Sequence, residues 1–336
     1  MSLTDGKIKH LKALSNDKGV IAAAAMDQRG SLQKSIAAAK GVDQSAVSQQ
    51  EMEEFKSAVV KVLTPHASAI LLDPEFGLPA AQVRAKNAGL LLAYEKSGYD
   101  FTTEGRLPDL LPNVSVKRIV DWGGDAVKIL LYYTPTDKPE INEVKHAFIE
   151  RIGAECESND IPFFLEFIAY DHTGQFDEKS LGFAKMKPEL VIGSMKEFSK
   201  PQYKVDVLKV EVPINAVYTE GSKAFKGEKA YDFKEAMGYF RAASDVATKP
   251  FIYLSAGVDN DIFVEQLNMA SEAGTDYSGI LCGRATWKQG IGVYGKQGVK
   301  ALEDWLSTEG LKNLEAVNNA ISSAKPWYAK LGLDSI

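Results

Sequence analysis

Eight short, almost continuously apolar runs recur along the chain, at 20–26, 69–72, 90–94, 126–132, 163–168, 207–212, 251–254 and 280–282. Runs of this kind suit parallel strands buried on both faces. Between them, 47–63, 115–122, 140–158, 233–247 and 259–273 space their apolar residues as amphipathic helices do. The gap after the second run has room only for a short helix around 79–88. Eight such units predict an α/β protein, a single (β/α)8 TIM barrel, which takes about 250 residues. The chain has 336. The surplus is assigned to a charged N-terminal helix within 1–18, a longer first connection, the region 196–203 and two C-terminal helices at 296–307 and 311–324. No Pro/Gly/Ser-rich linker divides the chain, so 1–336 is read as one barrel domain. A doubly wound sheet is the alternative, but it wants a G-x-G-x-x-G first turn. The turn present is Asp27-Gln28-Arg29-Gly30.

Composition narrows the function classes. Lys plus Arg number 39 against 45 Asp plus Glu, a net charge of −6. That balance excludes a general nucleic-acid binder, which needs a basic face. It leaves open a small anionic ligand held by a few basic side chains. No apolar run near the start is long enough to span a bilayer, and the stretch 1–18 does not read as a signal peptide. Cys156 and Cys282 form no C-x-x-C pair. His10, His66, His146 and His172 show no metal-ligand spacing. The expectation is a cytoplasmic enzyme without metal or cofactor and without nucleic-acid or membrane partners. Aromatic residues on the barrel helices leave a homo-oligomer open.

Barrel enzymes carry their chemistry at the C-terminal ends of the strands, so polar residues inside or just after the apolar runs are the candidates. Lys209 lies in Val207-Leu208-Lys209-Val210-Glu211-Val212-Pro213. A desolvated lysine favours its neutral amine, the form that attacks a carbonyl to give a Schiff base. The structural alternative is an internal pair with Glu211, two positions on and so on the same face of a strand. Lys128 repeats the pattern two strands earlier, as a second cation for Lys209 and a substrate contact, or as a salt bridge to Glu166. Glu166, in an apolar fifth run, is expected to have a raised pKa suited to acid–base work. Asp27 and Gln28 end the first run, where they either orient substrate hydroxyls or form a turn before a helix.

Asp73 and Glu75 are read as a turn capping the short helix that follows. The seventh and eighth runs end in Ser255-Ala256-Gly257 and Cys282-Gly283-Arg284, small-residue turns where barrels often bind phosphate. Cys282 reads as a buried small hydrophobe, Tyr132, Tyr133 and the tryptophans as packing for the helices, and 223–229 as a solvated loop.

Four segments, Leu71-Leu72-Asp73-Pro74-Glu75-Phe76-Gly77-Leu78-Pro79, Leu91-Leu92-Ala93-Tyr94-Glu95-Lys96-Ser97-Gly98-Tyr99, Asp206-Val207-Leu208-Lys209-Val210-Glu211-Val212-Pro213 and Leu281-Cys282-Gly283-Arg284-Ala285-Thr286-Trp287, resemble the tagatose 1,6-bisphosphate aldolase family. These are metal-independent class I enzymes, and the resemblance runs from about residue 3 to 330. It implies that Lys209 forms the Schiff base and that Glu166 handles the C4 hydroxyl proton. Asp27, Gln28 and Lys128 would contact the substrate hydroxyls and the dihydroxyacetone part. Ser255, the backbone around Gly257, Leu281 and Gly283, and the Arg284 side chain would hold the dihydroxyacetone phosphate end. Arg29 is our own candidate for the second phosphate. The partner implied is a phosphorylated ketose. Fructose 1,6-bisphosphate or a sulfonated ketose phosphate is an alternative substrate, and a sugar-phosphate-sensing regulatory protein is an alternative from another class.

Overall fold

The computed structural model describes residues 3–96 and 103–333; Ser97, Gly98 and Tyr99 of the second motif lie outside them. Eight parallel strands, β1 (Ile21–Met26), β2 (Ala69–Leu72), β3 (Gly89–Ala93), β4 (Ala126–Tyr132), β5 (Phe163–Ile168), β6 (Val207–Val210), β7 (Phe251–Leu254) and β8 (Gly279–Cys282), close into a barrel in chain order. β8 pairs with β1, Ile21 standing opposite Gly279.

Helix α1 (Asp5–Ala13) precedes the barrel, with the Thr4 hydroxyl accepting from the Lys7 amide. The longer first connection holds α2 (Gly30–Lys40) and α3 (Gln49–Leu63), the latter opened by a reciprocal Ser48–Glu51 capping box. The tight second gap holds only α4 (Leu78–Ala81). Then come α5 (Val116–Asp121), α6 (Pro139–Ser158), α7 (Leu181–Phe198), α8 (Phe233–Val246), α9 (Asn260–Glu272) and α10 (Arg284–Trp287). Helices α11 (Gly290–Trp305) and α12 (Leu311–Ala320) follow, and then a 3-10 turn at Trp327–Leu331.

Two expectations need correction. The surplus at 196–203 is the end of α7, a full helix that carries Pro188 inside it, followed by a 3-10 turn at Pro201–Tyr203. The helix expected at 296–307 starts at Gly290 and is interrupted at Gly298, whose φ of 79° is left-handed.

Side-chain alternation divides the apolar residues into two layers. Ala22, Ala24, Met26, Ile70 and Leu72 point outward into the large core under the helices. Ile21, Ala23, Ala25, Leu71, Leu91, Ala126, Phe164, Val207, Ile252 and Leu281 point inward and form a separate cluster with Leu11, Leu14 and Trp327. That cluster plugs the barrel at the N-terminal ends of its strands. The period of two then fixes what lies above it. Counting on from Ala25, Ala126, Phe164 and Val207, the next inward positions are Asp27, Lys128, Glu166 and Lys209. The barrel interior therefore changes from apolar to charged within one residue pair along each of these four strands.

Candidate active site

Lys128 is the centre of the charged layer and is fully buried. Its Nζ lies 2.9 Å from Asp27 Oδ2, 2.8 Å from Glu95 Oε1 and 2.8 Å from Glu166 Oε2. An ammonium has three N–H donors, so each finds one carboxylate. Burial alone would lower the pKa of Lys128, but Asp27, Glu166 and Glu95 outweigh it and hold it well above its ordinary value. Lys209, 4% exposed, places its Nζ 2.7 Å from the same Glu166 Oε2. The β5–β6 register, with Glu166 directly opposite Lys209, brings them together.

The carboxylates respond to these cations. Burial pushes Asp27 and Glu166 up, yet Lys128 and Lys209 more than reverse it, and both sit below the usual carboxylate range. This corrects the expectation of a raised Glu166: its strand is apolar, but two ammonium groups converge on one of its oxygens. The resting site thus favours a charged Glu166, whose Oε2 lies 2.7 Å from Lys209 Nζ. A neutral lysine amine is the form that attacks a carbonyl.

The alternative pair between Lys209 and Glu211 does not form. β6 stops at Val210, and Glu211 instead accepts from the Ala169 amide at 2.9 Å and faces Lys187 of α7 at 3.3 Å. Asp27 is not simply a turn residue, since its carboxylate is turned to Lys128, with Gln28 Nε2 donating to its other oxygen at 3.3 Å. Asp73 does make a turn, its Oδ2 accepting from the Phe76 amide at 2.8 Å, but α4 is preceded by Gly77, and Asp73 is also ion-paired with Lys56.

Arg29 is buried among acids. Its guanidinium donates to Glu75 at 3.0 Å and to the Glu95 carbonyl at 2.8 Å. The geometry therefore argues against it as a phosphate ligand and makes it a brace for Glu95. Glu95 itself escaped the sequence reading, although Tyr94-Glu95 marks the end of the third run as Asp27 marks the first. Its Oε2 and the Gln28 Oε1 are buried without a hydrogen-bond partner among the described residues.

At the ends of β7 and β8 the two small-residue turns meet. Ala256 and Gly257 have successive positive φ values of 47° and 77°. A Cβ added at Gly257 would lie 2.8 Å from Arg284 Cζ, so the guanidinium rests directly against that turn. Ser255 is buried, Leu281 faces the interior cluster, and Gly283 leads into α10. Lys288, which the sequence reading passed over, donates to the Gly257 carbonyl at 3.1 Å and pairs with Asp259 at 2.6 Å. Burial raises the Cys282 thiol to about 12, so it stays protonated.

Elsewhere, Tyr133 packs on Phe198 with ring centroids 4.7 Å apart, and the Arg106 guanidinium lies over the Tyr132 ring, 5.1 Å from its centroid. His10 pairs with Asp125, and His146 is hydrogen-bonded to the Tyr133 hydroxyl. Among the described residues no group of three or more His, Cys, Asp or Glu is arranged to hold a metal ion. The cation that Asp27, Glu95 and Glu166 surround is the chain's own ammonium.

The sequence pattern of the DeoC/LacD family aldolases matches residues 21–289. A tagatose 1,6-diphosphate aldolase of Listeria monocytogenes is 54% identical over 333 residues, covering 99% of this chain and 96% of that one. Tagatose 1,6-diphosphate aldolase 2 of Enterococcus faecalis is 52% identical over 332 residues, 98% of each chain. Among solved structures, fructose-bisphosphate aldolase of Plasmodium falciparum superposes with a TM-score of 0.68 at 14% identity over 97% of both chains. A Schiff-base-forming fructose-1,6-bisphosphate aldolase superposes with a TM-score of 0.52 at 14% identity, covering 90% of this chain and 98% of that one. At that identity the two structures speak for the fold alone.

Proposed function

Since the chain belongs to the DeoC/LacD aldolase family, we propose that it is a class I aldolase cleaving tagatose 1,6-bisphosphate to dihydroxyacetone phosphate and glyceraldehyde 3-phosphate. The observation that carries the reading is the buried contact of 2.7 Å between Lys209 Nζ and Glu166 Oε2 inside the barrel. Lys209 passes a proton to Glu166, and its neutral amine adds to the C2 ketone. Glu166 returns the proton to the carbinolamine hydroxyl, water leaves, and an iminium forms. Glu166, again a carboxylate, takes the C4 hydroxyl proton. The C3–C4 bond then breaks, its electron pair flows into the iminium, and glyceraldehyde 3-phosphate departs. Glu166 gives that proton to C3 of the enamine left on Lys209, and water hydrolyses the resulting iminium to free dihydroxyacetone phosphate and the Lys209 amine. The iminium is the electron sink that this bond cleavage requires.

Lys128, kept charged by its acids, stabilises oxyanions and hydroxyls of the substrate together with Asp27 and Gln28. Ser255, the Gly257 and Gly283 turns, the Leu281 backbone and Arg284 hold the phosphate of the dihydroxyacetone half. Arginine suits that role by its bidentate geometry. The reading places one barrel domain in the cytoplasm; among the described residues no helix is long and apolar enough to cross a membrane.

Borohydride trapping with dihydroxyacetone phosphate in the presence of a chelator, followed by peptide mass mapping, tests the chemistry. A reduced adduct on Lys209 is expected; no adduct, or one on Lys128, overturns it. Product formation from tagatose and fructose 1,6-bisphosphates, compared side by side, tests the substrate.

A further inference from the structure

The reaction above leaves one fully buried charge pair unused. Lys56 of α3 and Asp73, just past β2, are ion-paired with neither side chain exposed. Desolvating two charges is costly, and apolar residues of similar volume often do as well or better in such a place. Stability alone is thus a weak reason for the pair. The remaining donors of Lys56 supply another. Its Nζ donates to the backbone carbonyls of Met26 at 2.8 Å and Gln28 at 2.7 Å. These two carbonyls bracket Asp27.

The ladder between β1 and β2 ends at Met26, opposite Leu72, so the chain that carries Asp27 and Gln28 has just left the sheet. Lys56 grips it on both sides. Asp73 in turn anchors Lys56 to the β2 loop, through its contact with the Phe76 amide at 2.8 Å. We infer that Lys56 is a positioning residue for the reaction: it fixes the backbone on either side of Asp27, so that the Asp27 carboxylate stays turned to Lys128 and Gln28 stays at the rim of the site. The inference rests on the reading of Asp27 and Gln28 as substrate contacts.

Lys56→Met with Asp73→Leu removes both charges together and leaves no buried ion unpaired. The expected result is a folded protein with a modestly lowered melting temperature, since the Met26 and Gln28 carbonyls and the Phe76 amide lose a partner, intact borohydride trapping on Lys209, and a fall in kcat of about 10²-fold, the scale of an ångström's misplacement of a reacting group. In an Asp27→Asn background the same pair of changes is expected to add little, because residues acting through one contact are not additive. Should that variant not fold, Lys56→Leu with Asp73→Asn removes the donors to the Met26 and Gln28 carbonyls but keeps an acceptor for the Phe76 amide, and carries the same expectation. Unchanged kcat in either folded variant, or losses that multiply independently of Asp27→Asn, overturns the inference. Failure of the unaltered protein to trap dihydroxyacetone phosphate would instead strike the aldolase reading itself.

Discussion

The two poles of the barrel both bury lysine and carboxylate, but they join them differently. Below the apolar plug, Lys7 of α1 meets Asp206 at 2.7 Å, and the same Asp206 oxygen takes the Phe163 amide at 2.8 Å. That is a closed stitch between one helix and two strands. At the other pole Lys128 and Lys209 share Glu166, while Lys128 also holds Asp27 and Glu95. The acids feel the difference. Burial keeps Asp206 above the usual carboxylate range despite Lys7, whereas two cations pull Asp27 below it. Burial of charge does not by itself mark a reactive site. What sets the second pole apart is that two lysines, not a lysine and a backbone amide, converge on one carboxylate oxygen.

The comparison is sharpened most by Glu166→Gln, which keeps the shape of the shared acceptor and removes its ability to take a proton. Turnover is expected to fall about 10²–10⁴-fold, the usual range for a general acid–base group; steady-state kinetics on a folded variant read it, and near-normal turnover would break the distinction between the poles.

Next in size are two lysine replacements. Lys7→Met and Lys128→Met each strand buried carboxylate, and each is expected to cost about 3–5 kcal/mol at neutral pH by urea unfolding. Only Lys128→Met should impair turnover per folded molecule. Their pH dependence should also differ. Asp27 and Glu166 are lowered in the folded state, so the stability they contribute is present above the ordinary carboxylate pKa of about 4 and is lost as pH falls through their lowered values. Lys128→Met removes a cation responsible for that lowering. Its stability should lose the decline on acidification below about pH 4, or reverse it. Asp206 is raised, so its contribution is present at low pH and fades as pH rises through its folded value; Lys7→Met should leave the acid-side decline in place. Identical urea–pH profiles for the two variants would contradict this account.

The smallest effect is expected at the turn that follows β7. Gly257→Ala forces a left-handed φ of 77° and pushes a methyl group toward Arg284. The backbone cost is about 1–2 kcal/mol, and displacement of the guanidinium should raise KM for a phosphorylated ketose more than it lowers kcat. A change confined to kcat would move the phosphate end elsewhere.

Much of this was legible in the sequence because a barrel strand has a simple grammar. Buried on both faces, it is apolar throughout, so Lys128, Glu166 and Lys209 stand out as interruptions. What lay off the strands was harder. Glu95 comes directly after the third run and has no apolar residues beyond it to expose it as an anomaly. Lys56, within Glu53-Glu54-Phe55-Lys56, has the pattern of a solvated helix face, and only the docking of α3 on the end of β1 turns it inward. Arg29 looked free for an anion because its partners, Glu75 and the Glu95 carbonyl, come from distant parts of the chain. Helix α7 was obscured by Pro188, whose cost to an isolated helix is outweighed here by the burial of Leu190, Val191, Met195 and Phe198.

The single oxygen of Glu166 that faces both lysines has one more consequence. In the mechanism proposed above, the oxygen that receives the proton of Lys209 is already held by Lys128, and no side chain has to swing round to meet the new charge distribution. In water the same transfer would require many dipoles to turn. Within the barrel a fixed set of ammonium and carboxylate groups takes the part of that solvent, oriented once, during folding, so the reorganisation that slows proton transfer in solution is largely complete before any ligand arrives.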